Sequence, residues 1–91
     1  MSLREFVEKH KYDADFIATG LSIDVGYALQ SIAQEQNLDL RMVLVQLGYN
    51  NDTIDDIIYG DHDFKLSEIA KILSYFKIRE LEFYKIILDK S

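Results

Sequence analysis

The segment DLRMVLVQLGYNNDTIDDIIYG, residues 39–60, decides the fold of this 91-residue chain. Asp39 is a residue type that caps helix N-termini, and the apolar residues after it recur at helical spacing. Gly48 closes this run, because glycine readily adopts the left-handed conformation in which helices end. The first half of the segment therefore predicts a short helix over residues 40–47.

The second half repeats this pattern with an unusual charge. Asn50 is a suitable cap for a helix over residues 51–59, and Gly60 is a suitable end. No Lys or Arg occurs between Asn50 and Asp63. The stretch instead contains five aspartates, which are Asp52, Asp55, Asp56, Asp61 and Asp63. The segment therefore predicts two short helices joined by a tight turn, the second of them strongly acidic.

Helical spacing of apolar residues continues upstream of this segment. Ser2 and Glu5 form a capping-box pattern, which predicts a first helix that ends near His10. Asp13 is the expected cap of the next helical stretch, which runs toward Gln36. The N-terminal third of the chain is therefore expected to be helical as well.

A glycine complicates this stretch, and further helices follow the acidic one. We expect Gly20 to divide the stretch into two helices, although a glycine there also suits close packing inside one helix. Asn37 is the expected end of the stretch, since Asn tolerates the left-handed conformation. Downstream, Asp63 is the expected cap of a helix that reaches Phe76, and a last helix is expected over residues 80–89. The sequence therefore predicts an all-α fold of five or six helices.

Composition limits the class of protein. The chain is 48% hydrophobic and 29% charged, which is typical of one small folded domain. It contains no cysteine, which excludes disulfides and thiolate metal sites. We find no apolar run of the roughly 20 residues that a bilayer requires and no signal-peptide pattern, so a cytoplasmic location is expected. A net charge of −6 and a pI near 4.7 disfavour a general polyanion-binding surface.

Residues 38–73 resemble the Cro/C1-type (XRE) family of helix-turn-helix proteins, which includes phage repressors and many antitoxins. The residues that match core, anchor and turn positions of the family are Val43, Leu47, Gly48, Thr53, Ile54, Ile57, Gly60, Leu66, Ile69, Ile72 and Phe76. The resemblance covers roughly residues 26–83 and implies a lambda-repressor-like fold. Residues 1–20 are then expected to form an N-terminal helical extension. Residues 21–91 are expected to form the helix-turn-helix domain with a C-terminal packing or dimerisation helix, all within one compact domain.

The resemblance also implies a function. Family members usually bind operator DNA as dimers and place their third helix, here residues 51–59, in the major groove. The chain is therefore expected to be a small transcriptional regulator, repressor-like or antitoxin-like. The DNA- or partner-binding face that this implies consists of Leu40, Asn50, Asn51, Asp52, Asp55, Asp56, Ile58 and Tyr59.

The charge of this face favours an alternative. Neutralisation of phosphates by Lys and Arg supplies most non-specific DNA affinity, and Arg41 and Lys65 are the only cations nearby in sequence. Leu40, Ile58 and Tyr59 are apolar where the family is generally polar. Together with the aspartates they predict an apolar patch with an acidic rim, as in protein-binding surfaces. The alternative is therefore a protein-interaction module, such as an antirepressor, antitoxin or DNA mimic, whose partner is a basic protein.

The last predicted helix, residues 80–89, is apolar around much of its circumference. Such a helix either closes the core of its own chain or packs against a partner subunit in a homodimer. The residues expected at a dimer interface are Leu81, Phe83, Tyr84, Ile87 and Leu88.

Signatures of catalysis and of bound cofactors are missing from the sequence. It contains neither a Ser/His/Asp or Cys/His pattern nor a glycine-rich phosphate loop. His62 lies between Asp61 and Asp63, but a short acidic loop with one histidine is more typical of a solvent-facing segment than of a metal site. We therefore expect a protein without enzymatic activity, cofactor or metal.

Overall fold

The computed structural model describes residues 2–90 of the chain, with the side chains of residues 2–89. The described residues form α1 (Leu3–His10), α2 (Ala14–Glu35), α3 (Leu40–Gln46), α4 (Asn51–Tyr59), α5 (Leu66–Phe76) and α6 (Glu80–Lys90). Within this range there is no strand, so the predicted all-α class is confirmed. Met1 and Ser91, the outer ends of the two expected ranges 1–20 and 21–91, lie outside the described residues.

Three helices begin at the side chains that the sequence predicts as caps. Backbone N–H groups donate to Ser2 Oγ at 3.2 Å, to Asp39 Oδ1 at 3.0 Å and to Asn50 Oδ1 at 2.9 Å. Gly48 and Gly60 follow α3 and α4 with φ angles of +97° and +81°. Glycine suits these two turns because other residues are strained at positive φ.

α2 is one continuous helix of 22 residues, and the expected break at Gly20 is wrong. Gly20 is exposed, and no heavy atom lies within 4 Å of the position that its Cβ would occupy. A glycine inside a helix costs only about 1 kcal/mol, which the hydrogen bonds and packing of a long helix offset. Asn37, with a φ angle of +57°, follows the end of α2 as predicted.

α5 begins at Leu66, two residues later than a cap at Asp63 would require. Lys65 occupies the cap position, and its backbone N–H donates to Glu68 Oε2 at 2.7 Å. The third residue of a helix can reach back to the cap N–H in this way, so a cap residue with a short polar side chain is not needed. The prediction that Asp63 caps this helix is therefore wrong.

The core is formed by the C-terminal half of α2 together with α3, α4, α5 and α6. Its buried apolar residues are Val25, Ala28, Leu29, Ile32, Ala33, Leu40, Val43, Leu44, Ile54, Ile57, Ile72, Leu73, Phe76 and Phe83. By length and composition α2 would also be able to cross a membrane. In this fold its second half supplies the centre of the core instead, with Leu29 and Ile32 fully buried.

The N-terminal region lies outside this core. No residue of α1 is buried, and the first buried residue of α2 is Val25. α1 contacts α2 through the rings of Phe6 and Phe16, whose centroids are 6.3 Å apart. Asp13 occupies the N-cap position of α2 as predicted, but its carboxylate lies 2.7 Å from His10 Nδ1 and forms no capping hydrogen bond. The molecule is consequently elongated, with principal extents of 43 × 28 × 22 Å.

Candidate functional site

α4 has one face in the core and the opposite face exposed. Ile54 and Ile57 are fully buried. Asp52, Asp56 and Tyr59 are spaced four and three residues apart, so they share the opposite side of the helix, and Tyr59 is 74% exposed. We define the α4 face as the exposed residues Asn50, Asn51, Asp52, Asp56 and Tyr59. This face is the centre of the candidate site.

An ion pair connects α3 to α4 at the edge of this face. The Arg41 guanidinium donates to Asp55 Oδ1 at 2.8 Å, and both side chains are about half-exposed. An exposed pair of this kind stabilises a fold by about 1 kcal/mol or less. The pair has a larger effect on the surface charge of α3 and α4, because Arg41 is the only Lys or Arg in these two helices. The one cation of these two helices is therefore matched by a carboxylate of the same domain.

Leu40 does not belong to the α4 face. It is 2% exposed and packs in the core with Val43 and Leu44. These three residues form a single helical stripe, and Leu40 is its first member. The prediction that Leu40 contributes to a surface patch is therefore wrong.

Ile58 also contributes little to the exposed surface. It is half-buried and packs against the core cluster. Of the three apolar residues expected on the face, only Tyr59 is exposed. The apolar part of the α4 face is thus one aromatic ring beside carboxylates, which is smaller than the predicted patch.

α2 extends the acidic surface in a way that the sequence does not indicate. A groove of about 400 Å³ separates the first half of α2 from the segment after α4. It is lined by Asp15, Ala18, Thr19, Ser22, Gly60, Asp61 and Asp63. Ser22 Oγ donates to the carbonyl oxygen of His62 at 2.8 Å and holds the two sides together. Asp15 thereby joins two aspartates that lie more than 40 residues later in the chain.

The side chain of His62 has a structural role. Glu68 Oε1 accepts a hydrogen bond from Tyr49 Oη at 2.9 Å, and His62 Nε2 lies 2.9 Å from the same oxygen. His62 therefore attaches the segment between α4 and α5 to the first turn of α5. Among the described residues, no group of three or more His, Asp or Glu side chains is placed to hold a metal ion.

This network shifts the pKa values of its two acidic groups in opposite directions. Burial alone would raise the pKa of Glu68, but hydrogen bonds from the Lys65 N–H, His62 and Tyr49 stabilise the carboxylate and lower it. Burial and the neighbouring Glu68 carboxylate raise the pKa of Tyr49 to about 12. At neutral pH the network therefore contains a carboxylate and a neutral phenol.

α6 closes the core over α2. Phe83 is 4% exposed and belongs to the core cluster, and Ile87 is half-buried against it. Phe83 therefore cannot contact a second subunit, and its assignment to a dimer interface is wrong. The other expected interface residues, Leu81, Tyr84 and Leu88, are exposed.

Comparison with protein-family models, curated proteins and solved structures finds no match for this chain. The candidate site consists of the α4 face, the adjoining pair of Arg41 and Asp55, and the groove that contains Asp15. Together these groups form an anionic surface with one exposed aromatic ring. Such a surface is suited to a ligand that carries positive charge and some apolar area.

Proposed function

We propose that this chain is a small regulatory protein with a Cro/C1-type helix-turn-helix arrangement, and that its α4 face binds a basic protein. The observation that carries the proposal is the pair of Arg41 and Asp55. The only cation of α3 and α4 is neutralised at 2.8 Å, while Asp52 and Asp56 remain exposed. A ligand at this face consequently meets uncompensated negative charge, which repels phosphates and attracts Lys and Arg.

The packing of α3 against α4 supports the family part of the proposal. The two helices are joined by a turn at Gly48, and Val43, Ile54 and Ile57 are buried in the core. This is the residue pattern on which the resemblance rests. Asn51 and Asp52, the first two residues of α4, are exposed, and this is the end of a DNA-recognition helix that contacts base edges.

The chemistry of the face supports a protein as the ligand. Asp52 and Asp56 can accept charge-assisted hydrogen bonds from Arg or Lys. Tyr59 offers a ring for cation–π or apolar contact, and exposed tyrosines are frequent energetic centres of interfaces. The aspartates around the groove at Asp15 would speed the approach of a basic partner.

Fluorescence anisotropy tests this proposal with a labelled 20-residue peptide rich in Arg and Leu as the probe. We expect the Asp52→Asn/Asp56→Asn double variant to weaken binding at least tenfold, and Tyr59→Ala to weaken it further. The matched control is Glu35→Gln/Asp89→Asn, which removes two exposed carboxylates elsewhere. Equal affinity of the two double variants for the peptide would contradict the proposal, because only overall charge would then matter.

Operator DNA is the second candidate ligand, and one observation favours it. Asn51 is exposed at the start of α4, which is the part of a DNA-recognition helix that contacts base edges. An Asn amide can form hydrogen bonds with adenine. Anisotropy with mixed duplexes at low salt distinguishes the two candidates. Tight duplex binding that is lost in Asn51→Ala would establish DNA as the ligand and refute the basic partner.

A further inference from the structure

The chain exposes more surface than a compact monomer of its size. Its accessible surface is 6711 Å², whereas a monomer of 10.6 kDa is expected to expose about 5,500 Å². Its radius of gyration is 14.3 Å, compared with about 12 Å for a compact domain of this length. The excess of about 1,200 Å² is larger than the roughly 800 Å² that each partner buries in a standard interface.

The excess surface lies in the N-terminal part of the fold. None of residues 2–24 is buried. α1 has only eight residues, and isolated helices shorter than about 12 residues are marginal in water. A helix of this length needs packing on an apolar face to persist, and the core of its own chain does not provide it.

Exposed apolar side chains recur at helical spacing on both N-terminal helices. On α1, Leu3, Phe6 and Val7 have the spacing of a single helical stripe and are exposed. On α2, Ile17 and Leu21 lie one turn apart and are exposed as well. We define the N-terminal face as these five residues.

The surroundings of this face permit close approach of another helix. Ala14 and Ala18 lie on the same stripe of α2 as Ile17 and Leu21, and small residues allow two backbones to approach. Leu21 also borders a cleft of about 220 Å³ toward α5. The other apolar residues that line this cleft are Ala18, Val25, Phe64, Leu66 and Ile69.

Charge distinguishes the N-terminal face from the α4 face as a site for self-association. Residues 2–20 contain three Lys or Arg and four Asp or Glu, so they are nearly neutral with both signs interspersed. The stretch from Asn50 to Asp63 contains five aspartates and no cation. Two copies of the acidic stretch would repel each other, whereas two copies of the N-terminal region would not.

We infer that the N-terminal face is covered by a second copy of this chain in a two-fold symmetric dimer. Pairing of α1 and the first half of α2 with their symmetry mates removes the excess apolar surface and gives α1 a packed face. A two-fold interface presents the same residues on both sides, which the mixed charge of this region allows. The inference is independent of the ligand proposed for the α4 face.

Analytical ultracentrifugation from 1 to 100 µM tests this inference. We expect a dimer, and we expect Leu21→Asp and Leu3→Asp each to raise its dissociation constant at least tenfold. Leu3 is the first residue of α1, where an acidic side chain suits the helix N-terminus, so that variant leaves α1 intact. The matched control is Leu81→Asp on α6, because Leu81 is 64% exposed and Leu21 is 61% exposed.

The same experiment has outcomes that overturn the inference. A wild-type monomer at 100 µM would do so, as would a dimer that Leu81→Asp dissociates and Leu21→Asp does not. A wild-type monomer whose N-terminal face binds phosphatidylcholine–phosphatidylglycerol vesicles would assign the face to lipid instead. Circular dichroism melting of each variant establishes that any change in mass occurs in a folded chain.

Discussion

Gly26 of α2 packs directly on the backbone of Ile57 in α4. A Cβ at Gly26 would lie 2.8 Å from the carbonyl oxygen of Ile57, which is closer than such atoms approach in proteins. The absence of a side chain at Gly26 therefore sets the distance between these two helices. Because α4 carries the candidate site, this contact also determines how far the α4 face lies from α2 and the core.

We expect Gly26→Ala to destabilise the fold. The added methyl group must displace backbone, which costs about 1–3 kcal/mol, and the gain in helix propensity offsets only part of this cost. Gly20→Ala is the matched control, because it lies in the same helix with open space around it and should stabilise by about 0.5–1 kcal/mol. Urea denaturation measures both changes, and shifts of the same sign would contradict the close contact.

Leu40→Ala is expected to lower the free energy of unfolding by about 2–5 kcal/mol. The reason is that Leu40 is buried in the core, so its truncation leaves a cavity. Met42→Ala in the same helix should change stability by less than about 0.5 kcal/mol, since Met42 is exposed. If chemical denaturation gave both variants the same small effect, Leu40 would lie on the surface after all.

The fold is expected to lose stability at low pH through Glu68. Its pKa in the folded state is below the ordinary value of 4.5, so its stabilisation is complete above pH 4.5 and is lost as the pH falls through the lower folded value. Glu68→Gln should therefore cost about 1–3 kcal/mol at pH 7, and the difference from wild type should shrink below pH 4.5. Urea denaturation at pH 7 and pH 3.5 measures this, and a constant difference would contradict it.

Tyr49 is expected to make the stability of the fold depend on pH under alkaline conditions. Its pKa is raised to about 12, so the folded state favours the neutral phenol. This contribution is complete below pH 10 and is lost as the pH rises toward 12. Tyr49→Phe removes it, and denaturation at pH 9 and pH 11.5 should show wild type losing its advantage over this variant. A larger advantage at pH 11.5 would contradict the assignment.

Charge reversal on the α4 face is expected to create DNA affinity. Asp52→Lys/Asp56→Lys replaces two repulsive groups with two that contact phosphate, which should steepen the salt dependence of duplex binding by about two units. We expect anisotropy at 50 mM salt to detect a mixed duplex for the variant at concentrations where wild type shows none. Wild-type binding of equal strength would show that the aspartates do not exclude DNA.

Local features of the sequence predict the helices well where one side chain or one glycine decides an end. Asn50 and Gly60 bound α4 as expected, because a cap and a left-handed residue act only on the adjacent turn. Gly20 predicts a helix break that the structure lacks, for the same reason. The low helix propensity of glycine is a local and small effect, whereas the continuity of α2 depends on packing along its whole length.

The candidate site was less predictable because burial depends on contacts distant in sequence. The family position of Leu40 predicts a surface residue, although its spacing from Val43 and Leu44 places it on the core stripe. Phe83 lies on a helix with several apolar sides, and only the position of α2 determines which side is buried. Asp15 joins Asp61 and Asp63 across more than 40 residues, and no local pattern indicates that proximity.

The length of α2 has a further consequence. Its 22 residues extend for about 33 Å without a hinge, from the N-terminal face to the core beneath α4. Two chains joined at the N-terminal face would therefore display two α4 faces at one fixed spacing and orientation. A partner with two basic sites at that spacing would bind both, and the second contact would occur at high effective concentration. The rigid helix would then select partners by the distance between their binding sites, and avidity would strengthen contacts that are weak singly.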